Sequence, residues 1–256
     1  MSSLGLIPAL LSLNDFGKYE FCSQAKITKA PHKSIERVSE PLDLIHSDIC
    51  ELDGVLTRND KRYFITFIDD CSDLTFVYLM KNKNEAFDMI KLFLTEVKNQ
   101  FTRKVNRFRS DKSTEYDSSV FIEFYKSHGI IHEKSAPYFP KMNGKVERKK
   151  RILYELVVAT LLNSGTSSEW WGEILLIVCH VLSRIPKSKS IIPYEVLKDR
   201  KPNVSYFRTW GCLAYVRIPD PKISKLTSKA YECFFIGYVE HIKVYRFFNL
   251  KDRVII

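Results

Sequence analysis

Three carboxylates stand out by spacing and by their surroundings. Asp111 and Glu147 are separated by 35 residues, and Asp48 lies upstream in Leu44-Ile45-His46-Ser47-Asp48-Ile49-Cys50. Two-metal phosphoryl chemistry needs hard oxygen ligands a few ångströms apart, one ion serving the attacking oxygen and the other the leaving one. Aspartates at strand ends supply short, rigid ligands, and a glutamate on a facing helix can complete the set. Glu147 is the only acid between Lys141 and Arg151, a stretch that also holds six cations. The expected roles are Asp48, Asp111 and Glu147 on divalent metal, with Lys145, Arg148, Lys149, Lys150 and Arg151 on DNA phosphates. The competing reading is ordinary surface acids and a solvated basic helix face.

Composition agrees with a polyanionic partner. The 256 residues carry 40 Lys and Arg against 30 Asp and Glu, a formal charge of +10. With 45% hydrophobic residues the chain can bury a real core. Six cysteines are scattered and none forms a C-x-x-C pair, which argues against a zinc ribbon and a disulfide framework and for an intracellular chain. The apolar start has no cationic lead and contains Pro8, so neither a secretory signal nor a membrane span is expected. G-x-S-x-G, H-E-x-x-H, G-x-G-x-x-G and P-loop patterns are missing, which removes serine hydrolase, zinc protease, dehydrogenase and NTPase readings. His128 and His132 have ligand-like spacing, but Gly129 breaks the element between them, so no zinc pair is expected. Asp69-Asp70 ends a strong strand and reads as turn chemistry rather than catalysis.

The elements that would position the acids follow from periodicity. Residues 42–50, 63–70 and 75–80 read as an antiparallel β-meander. Phe87, Ile90, Leu94 and Val97 mark a helix over 84–101 with Asn84 as its N-cap. A strand at 105–110 delivers Asp111, a helix follows at 118–128, and a strand spans 130–136. A long helix over 143–163 buries Val146, Leu153, Val157 and Leu161. The result is an α/β domain with a mixed five-stranded sheet flanked by helices. Trp170, Trp171 and the apolar run 174–178 predict a buried helix. Strands are then expected at 212–218, 233–239, 244–250 and from 254 to the end, a small β-rich module that stops abruptly and reads as truncated. The expected divisions are a linker or remnant at 1–41, a catalytic core at 42–165, a helical extension at 166–209 and the β-rich module at 210–256.

Ordered across the chain, His46-Ser47-Asp48, the run 63–70, Arg109-Ser110-Asp111, Ala136-Pro137-Tyr138, Asn143-Gly144 and Glu147-Arg148-Lys149 resemble the integrase of Copia-type LTR retrotransposons. Trp171-Gly172-Glu173, Pro193-Tyr194-Glu195, Trp210-Gly211-Cys212 and Phe235-Ile236-Gly237-Tyr238 extend the resemblance. It implies an RNase H-like core with Asp48, Asp111 and Glu147 as the acidic triad, and Mg²⁺ or Mn²⁺ as cofactor. It further implies 3′-end trimming of element DNA followed by strand transfer into target DNA, with nuclear residence and homo-oligomers. Three departures accompany it. Cys22 matches the last cysteine of the family's zinc module, but Tyr19 replaces its neighbour and the histidines have no counterparts, so the zinc site is expected to be lost. Lys112-Ser113-Thr114-Glu115-Tyr116 lacks the glycines usual after the second aspartate, and Lys141-Met142 replaces a glutamine pair. These departures motivate an alternative: a catalytically inactive, decayed or domesticated nucleic-acid-binding domain.

Overall fold

In the computed structural model, strand β1 (Leu44–Glu51) is the centre of a five-stranded sheet. The structure describes residues 40–101, 103–111, 116, 119–134, 144–187, 191–219, 226, 228–239, 242 and 244–256. Strands β2 (Tyr63–Asp69) and β3 (Thr75–Met80) complete an antiparallel meander beside β1. On the other side, β4 (Arg107–Ser110) and β5 (Ile131–Lys134) run parallel to it, giving the order β3-β2-β1-β4-β5. The mixed α/β sheet expected from the sequence is therefore present. Parallel neighbours need crossovers, and α1 (Ala86–Phe101) and α2 (Ser119–His128) supply them.

Alternation along the strands divides the interior between two faces. Ile45, Ile65, Phe67 and Phe108 pack with Ile90 and Phe93 of α1 and with Phe121 and Tyr125 of α2. Phe67 stacks on Phe93 with ring centroids 4.3 Å apart. Cys50 and Phe64, of opposite parity, join a second cluster with α3 (Gly144–Ser164) and α4 (Trp171–Leu182). Asp48 shares the parity of Cys50, so it projects toward the helix that carries Glu147. Close approach of α4 to the sheet depends on Gly172, where a Cβ would lie 2.6 Å from Thr57 Cγ2. The short helix α5 (Pro193–Lys198) follows, with proline in its first turn.

Strands β6 (Leu213–Arg217), β7 (Ala230–Tyr238) and β8 (Tyr245–Asn249) form a separate antiparallel sheet in the order β6-β7-β8. Its Phe235, Ile236 and Phe248 belong to the same cluster as Trp170, Trp171 and Leu153. Two local expectations are corrected. The strand expected from residue 254 is an isolated bridge, Phe248↔Ile255, entered through a turn with Arg253 at φ 56. The helical start also moves toward the N-terminus. Glu85 Oε1 accepts the Asn82 and Lys81 N–H groups at 3.0 Å each, and a 3₁₀ turn at Lys83–Glu85 precedes α1, so Asn84 is not the cap.

His180 of α4 lies among aromatic rings, stacked on Tyr238 at 4.7 Å and bonded through Nε2 to Tyr206 OH at 2.8 Å. Burial, reinforced by the Arg184 charge, pushes its pKa down from 6.5 to about 4. In that window the unfolded chain binds the additional proton, so stability should fall as pH drops from 6.5 toward 4. Thermal unfolding across this range should show the slope in the wild type and a flatter one in His180→Gln. Equal slopes would remove His180 as the cause.

Candidate functional site

The parallel register of β1 and β4 pairs His46 with Arg109; continued by two residues it sets Asp48 opposite Asp111. Asp48 is mostly buried, its side chain 17% exposed. Burial raises its pKa, and the neighbouring Asp111 charge adds to the rise while Lys150 opposes it. Asp48, inside β1, and Asp111, one residue past β4, thus lie on neighbouring strands although they are distant in sequence. Tyr116, fully buried, pairs its OH with Ser47 Oγ at 2.8 Å.

Glu147 sits in the first turn of α3 and is exposed, one residue past the buried Val146. With Gly144, Arg148 and Arg151 it lines an open depression. A step of one residue turns a helix by about 100°, so Val146 and Glu147 cannot face the sheet equally. Lys150, four residues after Val146, returns to the buried stripe instead. Its Nζ lies 3.5 Å from Asp48 Oδ2, the same oxygen that receives the Cys50 thiol at 3.4 Å. Among the described residues no three His, Cys, Asp or Glu side chains are grouped to hold a metal ion.

The five cations of the basic helix divide by orientation. Arg148 and Arg151 point to solvent, with Arg151 3.8 Å from Glu155 one turn on. Lys145 turns inward to Asp73 Oδ1 at 2.7 Å, Asp70 Oδ1 at 3.2 Å and the main-chain oxygens of Asp69 and Asp70. Lys149 is half-buried near Cys179, and burial lowers its pKa. Lys150 is committed to Asp48. The uniform basic face expected from the sequence is therefore two outward arginines and three inward lysines. Charge counting could not find this, because the apolar stripe of α3 determines the inward side.

The rival acids have structural partners. Asp69 is fully buried and accepts from Leu42 N–H (2.7 Å), Ser72 N–H (2.8 Å) and Ser72 Oγ (2.5 Å). Asp70 Oδ1 lies 3.0 Å from His46 Nε2, a contact that, with Lys145, holds the carboxyl well below the usual range. Asp73 also pairs with Lys187. The sequence did not reveal this His46–Asp70–Lys145–Asp73–Lys187 network, although the turn role of Asp69-Asp70 was legible. His132 Nε2 contacts Ser110 Oγ at 2.9 Å and His128 Nδ1 contacts Phe124 O at 2.9 Å, so the two histidines have separate partners. Among the described residues, Cys50, Cys179, Cys212 and Cys233 are in no disulfide. Cys22, His32, Lys112–Glu115 and Lys141–Asn143 lie outside the described residues.

Residues 38–140 match the integrase core domain, and residues 212–256 match the retroviral polymerase SH3-like domain. The chain is thus an integrase core followed by an SH3-like module. It belongs to the integrase region of retrovirus-related Pol polyproteins from transposons. The Pol polyprotein from transposon TNT 1-94 of Nicotiana tabacum is 35% identical over 225 residues, covering 87% of this chain and 17% of the relative. That from transposon RE1 of Arabidopsis thaliana is 27% identical over 236 residues, covering 90% and 16% respectively. The chain therefore spans less than a fifth of the curated relatives it matches. Among solved structures, the fold is shared with a chain of the simian T-cell lymphotropic virus intasome in complex with PP2A regulatory subunit B56 gamma. The TM-score is 0.58 at 15% identity, over 88% of this chain and 84% of that one.

Proposed function

We propose that this chain acts on DNA as the integrase region of a Copia-type element, with Asp48, Asp111 and Glu147 as the carboxylates of 3′-end processing and strand transfer. The observation that carries the reading is the meeting of Asp48 and Asp111 across the parallel β1–β4 pair inside an integrase core. Their hard oxygens suit Mg²⁺ or Mn²⁺, and the mutual repulsion at Asp48 is what a divalent cation would relieve. Glu147 fits less well: it is exposed, and Lys150 stands against Asp48 in its place. A bound divalent ion would supply charge stabilisation at the scissile phosphate. The chain's own contribution is to position phosphates at Arg148 and Arg151, beside Glu147. DNA ends and target DNA are the proposed partners, within a homo-oligomer, in the nucleus. Among the described residues no helix is long and apolar enough to cross a membrane.

The Lys150–Asp48 contact favours a second reading, a catalytically silent DNA-binding domain. Purified protein incubated with Mn²⁺ and labelled terminal-repeat ends separates the two. Joined product in wild type, absent in Glu147→Gln, supports transfer chemistry. No product from either, with salt-sensitive DNA binding intact, leaves the silent reading. In the same material, Arg148→Ala/Arg151→Ala should weaken binding to unrelated sequences about equally and lower the salt slope by about 2. Loss confined to one sequence would assign the arginines to base readout instead.

A further inference from the structure

We propose that Lys150 is a tethered counter-cation that competes with divalent metal for Asp48 and so sets the metal affinity of this site. The inference rests on the reading of Asp48 as a metal ligand. The ammonium lies 3.5 Å from Asp48 Oδ2, with Lys150 and Asp48 side chains 35% and 17% exposed. Its nitrogen is 5.9 Å from the Tyr154 ring, and Tyr154 OH donates to Glu51 O at 3.2 Å, tying that part of α3 to β1. The contact is built into the packing: Val146, Leu153 and Val157 seat α3 on the sheet, and position 150 falls on their stripe.

The two cations exclude one another. Mg²⁺ binds carboxylate oxygen at about 2.0–2.1 Å and demands near-octahedral access. An ammonium beside the same oxygen both fills part of that shell and repels a double positive charge. Cys50 already donates to Oδ2, which further narrows the free lone pairs of Asp48. Metal entry therefore requires the Lys150 head to leave. Its one-third exposure gives it a way out to solvent or to a DNA phosphate, while its stem stays on α3. Metal loading and phosphate contact then favour one another: a phosphate that captures Lys150 frees Asp48.

The test uses Mn²⁺ alone as probe, with free ion followed by electron paramagnetic resonance during titration of the full chain. Thermal unfolding verifies that each variant folds. Lys150→Met keeps the stem and removes the charge, and should tighten Mn²⁺ binding by about tenfold or more. Lys150→Arg should remain near wild type, and Lys150→Met/Asp48→Asn should lose the gain. Equal affinity in wild type and Lys150→Met, with binding abolished by Asp48→Asn, would overturn the competition yet leave Asp48 a ligand. A gain that survives Asp48→Asn would place the effect at another site and overturn the proposal. Absence of binding in every variant would overturn both the competition and the metal-site reading.

Discussion

Trp171→Ala should destabilise the protein by about 3–5 kcal/mol. The indole is 2% exposed, its Nε1–H donates to Val55 O at 3.0 Å, and its ring lies 5.9 Å from Phe64. Removing it opens a cavity at the point where α4 meets the sheet. The adjacent Gly172 already brings α4 against Thr57 and Leu79, which limits collapse around the vacancy. Trp171→Phe retains most of the apolar contact and leaves Val55 O without its partner, so its cost should be nearer 1–2 kcal/mol. Urea unfolding followed by circular dichroism measures both. A loss below about 1 kcal/mol in the alanine variant would mean that the helix settles without the ring.

Asp69→Ala should cost at least about 3 kcal/mol, because three buried donors lose a charged acceptor together. One of them, Leu42 N–H, belongs to a fully buried residue held at φ 69, a left-handed conformation uncommon for leucine. The carboxylate thus fixes a strained entry into β1, two residues before its first position. Asp69→Asn keeps one accepting oxygen and presents an amide to a donor, so it should fall between alanine and wild type. A neutral Asp69→Ala in the same unfolding assay would show that water replaces the carboxylate at no cost.

The sequence revealed most of the scaffold because alternation and the three- and four-residue steps report burial directly. The meander 63–80, the stripe Val146–Leu153–Val157 and the buried run after Trp170 all occur where the pattern places them. Spacing and the resemblance both single out Asp48 and Asp111, but their placement on neighbouring strands is a tertiary consequence of parallel register. Orientation within the basic helix was not legible. Lys145, Lys149 and Lys150 are chemically equivalent along the chain, and only packing separates a lysine that meets Asp70 from one that meets Asp48. Helix starts and the terminal β-bridge depended on turn geometry, namely the Glu85 cap and the positive φ at Arg253.

An aromatic seam joins the start of α4 to the C-terminal sheet, so the two share one packed interior. Trp170 contacts Phe248 at 4.9 Å and Phe234 at 5.2 Å, and the Arg58 guanidinium lies within 4.7 Å of the Trp170 ring and 4.6 Å of the Phe248 ring. Side-chain packing therefore crosses the border expected near residue 210. The last three strands therefore share their buried face with residues of the five-stranded sheet, Cys50 and Phe64.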